Sequence, residues 1–186
     1  MIVAPQLEVS VFETWATIVT VAATAVAGDV LTAGAMRRIG DLDVIREMLI
    51  DPGTLLGLSD GGAHCGQICD SGLPSFMLAH WVRDRTRGDR LPLEFVVKRQ
   101  TSETADFFGF HDRGRLAPGL KADVNIIDFD KLRLHHPEIT HDLPAGGKRL
   151  VQRVDGYAAT IVSGVPIFEN GAETGARPGK LVRAGR

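Results

Sequence analysis

With 186 residues, the chain has room for one ordinary domain or for two pieces of larger ones. Its 44% hydrophobic and 24% charged residues match soluble globular proteins and exclude disordered and fibrous classes. Lys+Arg 21 against Asp+Glu 23 gives a net charge of -2, which removes the electrostatic case for nucleic acid or an anionic membrane as partner and leaves a small molecule or another polypeptide.

Residues 15–28, WATIVTVAATAVAG, form a long apolar run, short of the about 18 uninterrupted residues that a spanning helix needs. No Lys or Arg precedes it in residues 1–14, so a signal peptide is not expected, and residues 1–40 carry no assignment. From Asp41, a candidate cap, the spacing of Leu42, Ile45, Met48 and Leu49 predicts a helix closed by the turn Asp51-Pro52-Gly53. The run TLLGLSD then reads as a buried strand ending on a polar tip, Ser59-Asp60. Helix, turn and buried strand are the rhythm of an α/β protein with parallel strands, in which ligands bind at the carboxyl ends of the strands.

After a glycine-rich loop at 61–73, Pro74 sits at a first helical position, and Phe76, Ala79 and Val82 continue the helix toward Gly88. A second helical stretch is predicted from Pro92 to Phe108, broken near Thr101-Ser102 and stopped by Gly109. From Gly114 the pattern changes to short β-runs at 122–128, 159–164 and 165–170, with Ser163-Gly164 as a tight hairpin turn. Residues 131–150 lack periodicity and read as an extended loop. The organisation predicted is therefore an α/β piece over 41–113 and a β-rich piece over 114–186.

The strongest chemical signal is S-D-G-G-A-H at 59–64. An aspartate at a strand end followed by two glycines presents its carboxylate where backbone can approach a ligand closely, which suits a general base. The same residues also suit a turn in which Asp60 accepts bonds from its own downstream amides. His64 fits either a substrate- or metal-facing role or an ordinary hydrogen-bonding loop position. Cys65 and Cys69 are too few for a disulfide framework, fit a reducing cytoplasm, and read as free thiols because a closed zinc site takes four ligands. His135, His136 and His141 read as a solvated loop, and Arg83, Asp84, Arg85 and Arg87 as a wet helix end. Phosphate-binding glycine loops of Rossmann or Walker type are absent.

Three segments together, GLSDGGAHCGQ, TSETADFFGFHDRGRLAPGLKADVNIIDFD and VSGVPIFENGAETGARPGKLVR, resemble the C-terminal third of an N-acyl-D-amino-acid deacylase (D-aminoacylase) of the amidohydrolase superfamily, over roughly residues 41–186. The resemblance implies the closing part of a (β/α)8 TIM barrel over 41–113, then strands of a small β-sandwich over 114–186. It implies a zinc cofactor, a small-molecule N-acyl amino acid as substrate, Asp60 as the catalytic proton-transfer group, and Gly61, Gly62 and His64 on the substrate side.

The family gathers its metal with an H-x-H pair, a cysteine and further histidines, yet this sequence has no H-x-H and neither His nor Cys before Asp60. A whole barrel also takes about 250 residues. The expectation is therefore a truncated or split chain, inactive alone, with a complementary N-terminal barrel chain as partner. Two other readings share these residues: a non-catalytic fold remnant that binds a partner, and an amidohydrolase acting on a cyclic amide or a dipeptide.

Overall fold

A computed structural model describes residues 42–56 and 71–183. The chain divides into two compact units, 1–50 and 51–186. In the first, helix α1 (Asp43–Ile50) carries Asp43 in its opening turn, where a carboxylate complements the helix dipole. Leu42, Ile45 and Leu49 of its predicted apolar face are half-buried, whereas Met48 is exposed.

The second unit opens with the predicted turn. Asp51 Oδ1 accepts a hydrogen bond from Gly53 N at 2.6 Å, and Asp51 O one from Thr54 N at 3.2 Å. Of the predicted strand 54–60, residues 54–56 are half-buried and irregular, and the rest lies outside the described residues.

Helix α2 (Leu73–Phe76), with Pro74 in its first turn as predicted, runs directly into a π-helix, Met77–Asp84. The wider turn, bonded i→i+5, displaces the apolar stripe from a 3.6-residue spacing. Ser75, Leu78, Ala79 and Trp81 are buried, while Phe76 is exposed and Val82 half-buried. The helix also stops at Asp84, short of Gly88, because Arg85 is extended (φ −62, ψ 124) and its N–H bonds back to His80 O at 2.9 Å.

Helices α3 (Leu93–Gln100) and α4 (Ser102–Phe107) are separated at Thr101 (φ −122, ψ −84), where the sequence places the break. Gly109, at φ 70, ends the pair as predicted and donates to Asp106 O at 3.0 Å. Their inward side carries Val96, Arg99, Ser102 and Ala105.

Eight strands follow: β1 (Val124–Ile127), β2 (Arg133–Leu134), β3 (Glu138–Leu143), β4 (Gly147–Val151), β5 (Val154–Asp155), β6 (Tyr157–Val162), β7 (Val165–Glu169) and β8 (Ala172–Glu173). They form a sheet of order β1-β6-β7-β8 and the two-stranded ladders β2-β5 and β3-β4. Every pairing among the described residues is antiparallel, so none shows the parallel strands that the helix-strand rhythm predicts.

The hairpin at Ser163-Gly164 is present. Both residues have positive φ (51 and 81), the geometry of the two-residue turn whose twist matches paired strands. The reading of 131–150 as an extended loop is corrected, because this stretch holds β2, β3, a short 3-10 turn at Pro144–Gly146 and β4. β3 and β4 pair through their backbone ladder and carry the ion pair Arg149 Nη2–Asp142 Oδ2 at 2.6 Å on their surface, while Arg153, just past β4, reaches Glu138 Oε1 at 2.7 Å.

Helical and β-rich stretches meet at the fully buried Leu132. Arg83, at the end of the π-helix, donates to the carbonyls of Phe129 and, at 2.7 Å, Leu132. Gly156 (φ 98) lies so close beneath this turn that a Cβ there would stand 2.7 Å from Leu132 Cα. A hydrogen bond of 2.8 Å joins Ser75 Oγ and the Tyr157 hydroxyl. No helix among the described residues is long and apolar enough to cross a membrane.

Candidate functional site

The predicted site residues Asp60, Gly61, Gly62 and His64, together with Cys65 and Cys69, lie outside the described residues. What the structure does show is how the chain is held on either side of them.

On the incoming side, Arg99 is the anchor. It lies on α3 three residues after Val96, on the same inward face, and is 5% exposed. Its guanidinium donates from Nη1 to Thr54 O at 2.7 Å, and from Nη2 to Asp51 O at 2.8 Å and Thr54 Oγ1 at 2.9 Å. Glu103, four residues on, accepts from Nη1 at 3.1 Å, and Lys98 Nζ lies 3.1 Å from its other oxygen. The Lys98 and Arg99 contacts hold the Glu103 carboxyl below its ordinary pKa. The Thr104 hydroxyl sits 2.8 Å from Arg99 O and 3.4 Å from Leu56 O, so its single proton favours the former.

On the outgoing side, Gly72 is buried, and a Cβ there would meet the side-chain ends of Gln152 and Leu134. Gln100 Nε2 donates to Pro74 O at 3.2 Å. Further along the π-helix, His80 stacks on Phe76 with ring centroids 4.8 Å apart and presents an edge to Trp81 at 5.4 Å. Burial first, and the Arg85 charge second, push its pKa down, so it is a neutral ring at neutral pH.

A groove of about 730 Å³ is lined by Arg83, Asp84, Asp130, Lys131 and Arg133 beside Leu132. Two of its three cations are already engaged: Arg83 pairs with Asp84 at 2.6 Å besides holding the 129–132 carbonyls, and Lys131 pairs with Asp128 at 2.7 Å. The reading of Arg83 to Arg87 as a wet helix end is therefore corrected for two members. Arg83 is a clamp, and Arg85 is 3% exposed with its guanidinium 4.7 Å from the centre of the Trp81 ring, where cation–π attraction offsets part of the burial cost.

The histidines at 135, 136 and 141 are solvated, as predicted. His135 Nε2 lies 2.7 Å from Asp155 Oδ2, and His141 Nδ1 is 3.4 Å from Gly146 O. Among the described residues no three His, Cys, Asp or Glu side chains come together closely enough to hold a metal ion, so these residues do not fit the implied zinc. Arg99 was not among the sequence candidates. Its one legible signal is a cation three residues after Val96 on a face that turns inward.

Comparison with known proteins adds a family. The model for the amidohydrolase family matches residues 6–168, reaching well into the segment that the sequence reading leaves unassigned. A D-aminoacylase from Alcaligenes xylosoxydans xylosoxydans is 28% identical over 156 residues, 81% of this chain and 29% of that protein. An N-acyl-D-glutamate deacylase from the same organism is 33% identical over 107 residues, 58% of this chain and 19% of that protein. The chain thus spans less than a third of the length of these curated relatives. No solved structure matches it.

Proposed function

Since the chain belongs to the amidohydrolase family, we propose that it carries the proton-transfer part of an enzyme that hydrolyses the amide of N-acylated D-amino acids. The observation that carries this reading is the family match itself, which spans S-D-G-G-A-H at 59–64. The names of both relatives, each a deacylase of D-configured substrates, support the substrate class. In this reading residues 41–113 are the closing part of a (β/α)8 barrel and residues 114–186 belong to a small β-sandwich.

Asp60 acts as general base and then general acid. Its carboxylate takes a proton from the attacking water as the C–O bond forms, and returns it to the leaving nitrogen as the C–N bond breaks. Such assistance is typically worth about 10²–10⁴-fold in rate. Gly61 and Gly62 let the backbone approach the substrate, and His64 lines its acyl or carboxylate side. Zinc, in this reading, is held by polypeptide other than this chain, either within a longer protein or on a complementary chain, because the sequence has no H-x-H and no His or Cys ahead of Asp60.

The test is release of free D-amino acid from N-acetyl-D-amino acids. The chain alone is expected to be inactive, and the same chain together with an H-x-H-bearing amidohydrolase half active. Asp60→Asn should lower that activity by about 100-fold or more. Undiminished activity in Asp60→Asn, or a preference for cyclic amides or dipeptides over N-acyl-D-amino acids, would refute the assignment.

A further inference from the structure

We propose that His80 is an acid-sensitive latch where the helices meet the strands: the neutral ring lets the Met77–Asp84 turn stay closed, and its protonation opens that turn and with it the hold of Arg83 on residues 129–132. The ring lies nearly parallel to Phe76, at 6° and 4.8 Å, and meets Trp81 edge-on at 5.4 Å. Its Nε2 is buried and has no hydrogen-bond partner among the described residues. A neutral imidazole tolerates such a place, because one of its nitrogens is a bare acceptor. The imidazolium does not. It carries an N–H on both nitrogens, so a charged donor would stand at Nε2, out of reach of water and without an acceptor among the described residues.

The neighbouring charges act in the same direction. Trp81 is 2% exposed and already has the Arg85 guanidinium 4.7 Å from the centre of its ring, so protonating His80 would bring a second cation against the same indole. Asp84 pulls the other way, yet both of its oxygens are taken by Arg83, at 2.6 and 2.9 Å. The packed helix α2 has no ionisable side chain, and Glu94, Lys98 and Arg99 of α3 contribute no charge effect at the ring. Among the described residues, burial and Arg85 therefore outweigh Asp84 and hold the His80 pKa below its ordinary 6.5.

His80 is tied to the join through its own backbone. Its carbonyl accepts the Arg85 N–H at 2.9 Å, and inside the turn so closed Arg83 reaches the carbonyls of Phe129 and Leu132. A ring driven out to water gives up its contacts with Phe76 and Trp81, the side chains on which this turn packs, so turn and clamp should loosen together. Because the neutral ring is the form that fits, the stabilisation is complete above 6.5 and is lost as pH falls through the window below it.

The experiment follows the full chain and its His80→Phe variant, which keeps a ring against Phe76 and cannot titrate, from pH of about 7.5 to about 5. Hydrogen exchange, corrected for its intrinsic pH dependence, is read on peptides covering residues 77–85 and 129–133, and the His80 ring is titrated by NMR. In the parent, exchange in both peptides should rise about threefold or more over this range, in step with a ring that titrates below 6.5, while His80→Phe stays flat. If His80→Phe does not fold, the parent decides alone, since exchange must then follow the titration of His80 and not that of His135 or His136.

A His80 ring that titrates at or above 6.5 would overturn the proposal. Acid opening of equal size in His80→Phe would assign the effect to other groups and overturn it as well. A ring that titrates low while exchange stays flat in both peptides would leave His80 a buried histidine without a hold on the join, and the latch would be refuted.

Discussion

Leu78, Ala79, Trp81, Leu91, Val96 and Ala105 are buried between residues 73 and 107, whereas the stretch from Val124 to Glu173 contributes only Leu132 to the buried apolar set among the described residues. The strands instead leave Ile126, Ile139, Val165 and Phe168 exposed and carry ion pairs such as Arg149–Asp142 and Arg153–Glu138 on their surface. The larger of these buried side chains, such as Leu78, Leu91 and Val96, are each worth about 1.5–3 kcal/mol, while exposed ion pairs contribute about 0–1 kcal/mol. The helical stretch therefore has a core of its own. The strands depend on their ladders and on the few points where they touch the helices, chiefly Leu132, the Arg83 clamp and the Ser75–Tyr157 bond.

Breaking that contrast should be easiest at its junction. Leu132→Ala empties a fully buried site and should lower stability by about 2–5 kcal/mol in urea unfolding, the largest loss expected from a single truncation in the β-rich stretch. Arg83→Met keeps the aliphatic stem but removes the donor of the Leu132 carbonyl and leaves that of Phe129 only the long bond from Leu132 N at 3.4 Å, for a loss of about 1–3 kcal/mol in the same measurement.

The smallest effect should come from the strand surface. Asp142 is held at a pKa of about 2 by its hydrogen bond to Arg149, below the ordinary 3.8. Because the folded value is the lower one, the stabilisation is complete above the ordinary carboxylate pKa and disappears as pH falls through about 2. Thermal midpoints of the parent and Asp142→Asn should differ slightly at neutral pH and converge by pH of about 2, with the carboxyl titrating there by NMR. A neutral-pH loss as large as that of Leu132→Ala would mean that the strands are held by charge after all.

The features legible in the sequence are those with local causes. The break at Thr101, the stop at Gly109 and the turn at Ser163-Gly164 follow from which residues tolerate which backbone angles, and they stand where expected. The strands of 131–150 were not legible because in β3, EITHDL, His141 interrupts the apolar side formed by Ile139 and Leu143, the register shifts between Thr140 and Leu143, and the pairing is specified by partners on β4 about ten residues away. Arg85 and Arg99 were hidden for a similar reason. Arginines usually mark solvent, and nothing local shows that Trp81 covers one, or that the carbonyls of Asp51 and Thr54 receive the other. Of the candidate site, the motif at 59–64 was plain in the sequence, but the buried cation that holds Asp51 and Thr54 became visible only through contacts 45 and 48 positions apart.

The π-helical turn between Met77 and Asp84 makes the join between helices and strands a matter of counting. In an α-helix each residue advances about 100° around the axis, and in the wider i→i+5 turn it advances less, so relaxing this segment to α-form at unchanged length would swing Arg83 by about 100° relative to Met77. Its guanidinium would then face away from the 129–132 carbonyls, however faithfully every side chain were kept. Losing one residue along with the wide turn would take most of that rotation back, so the join couples the length of the helix to its winding.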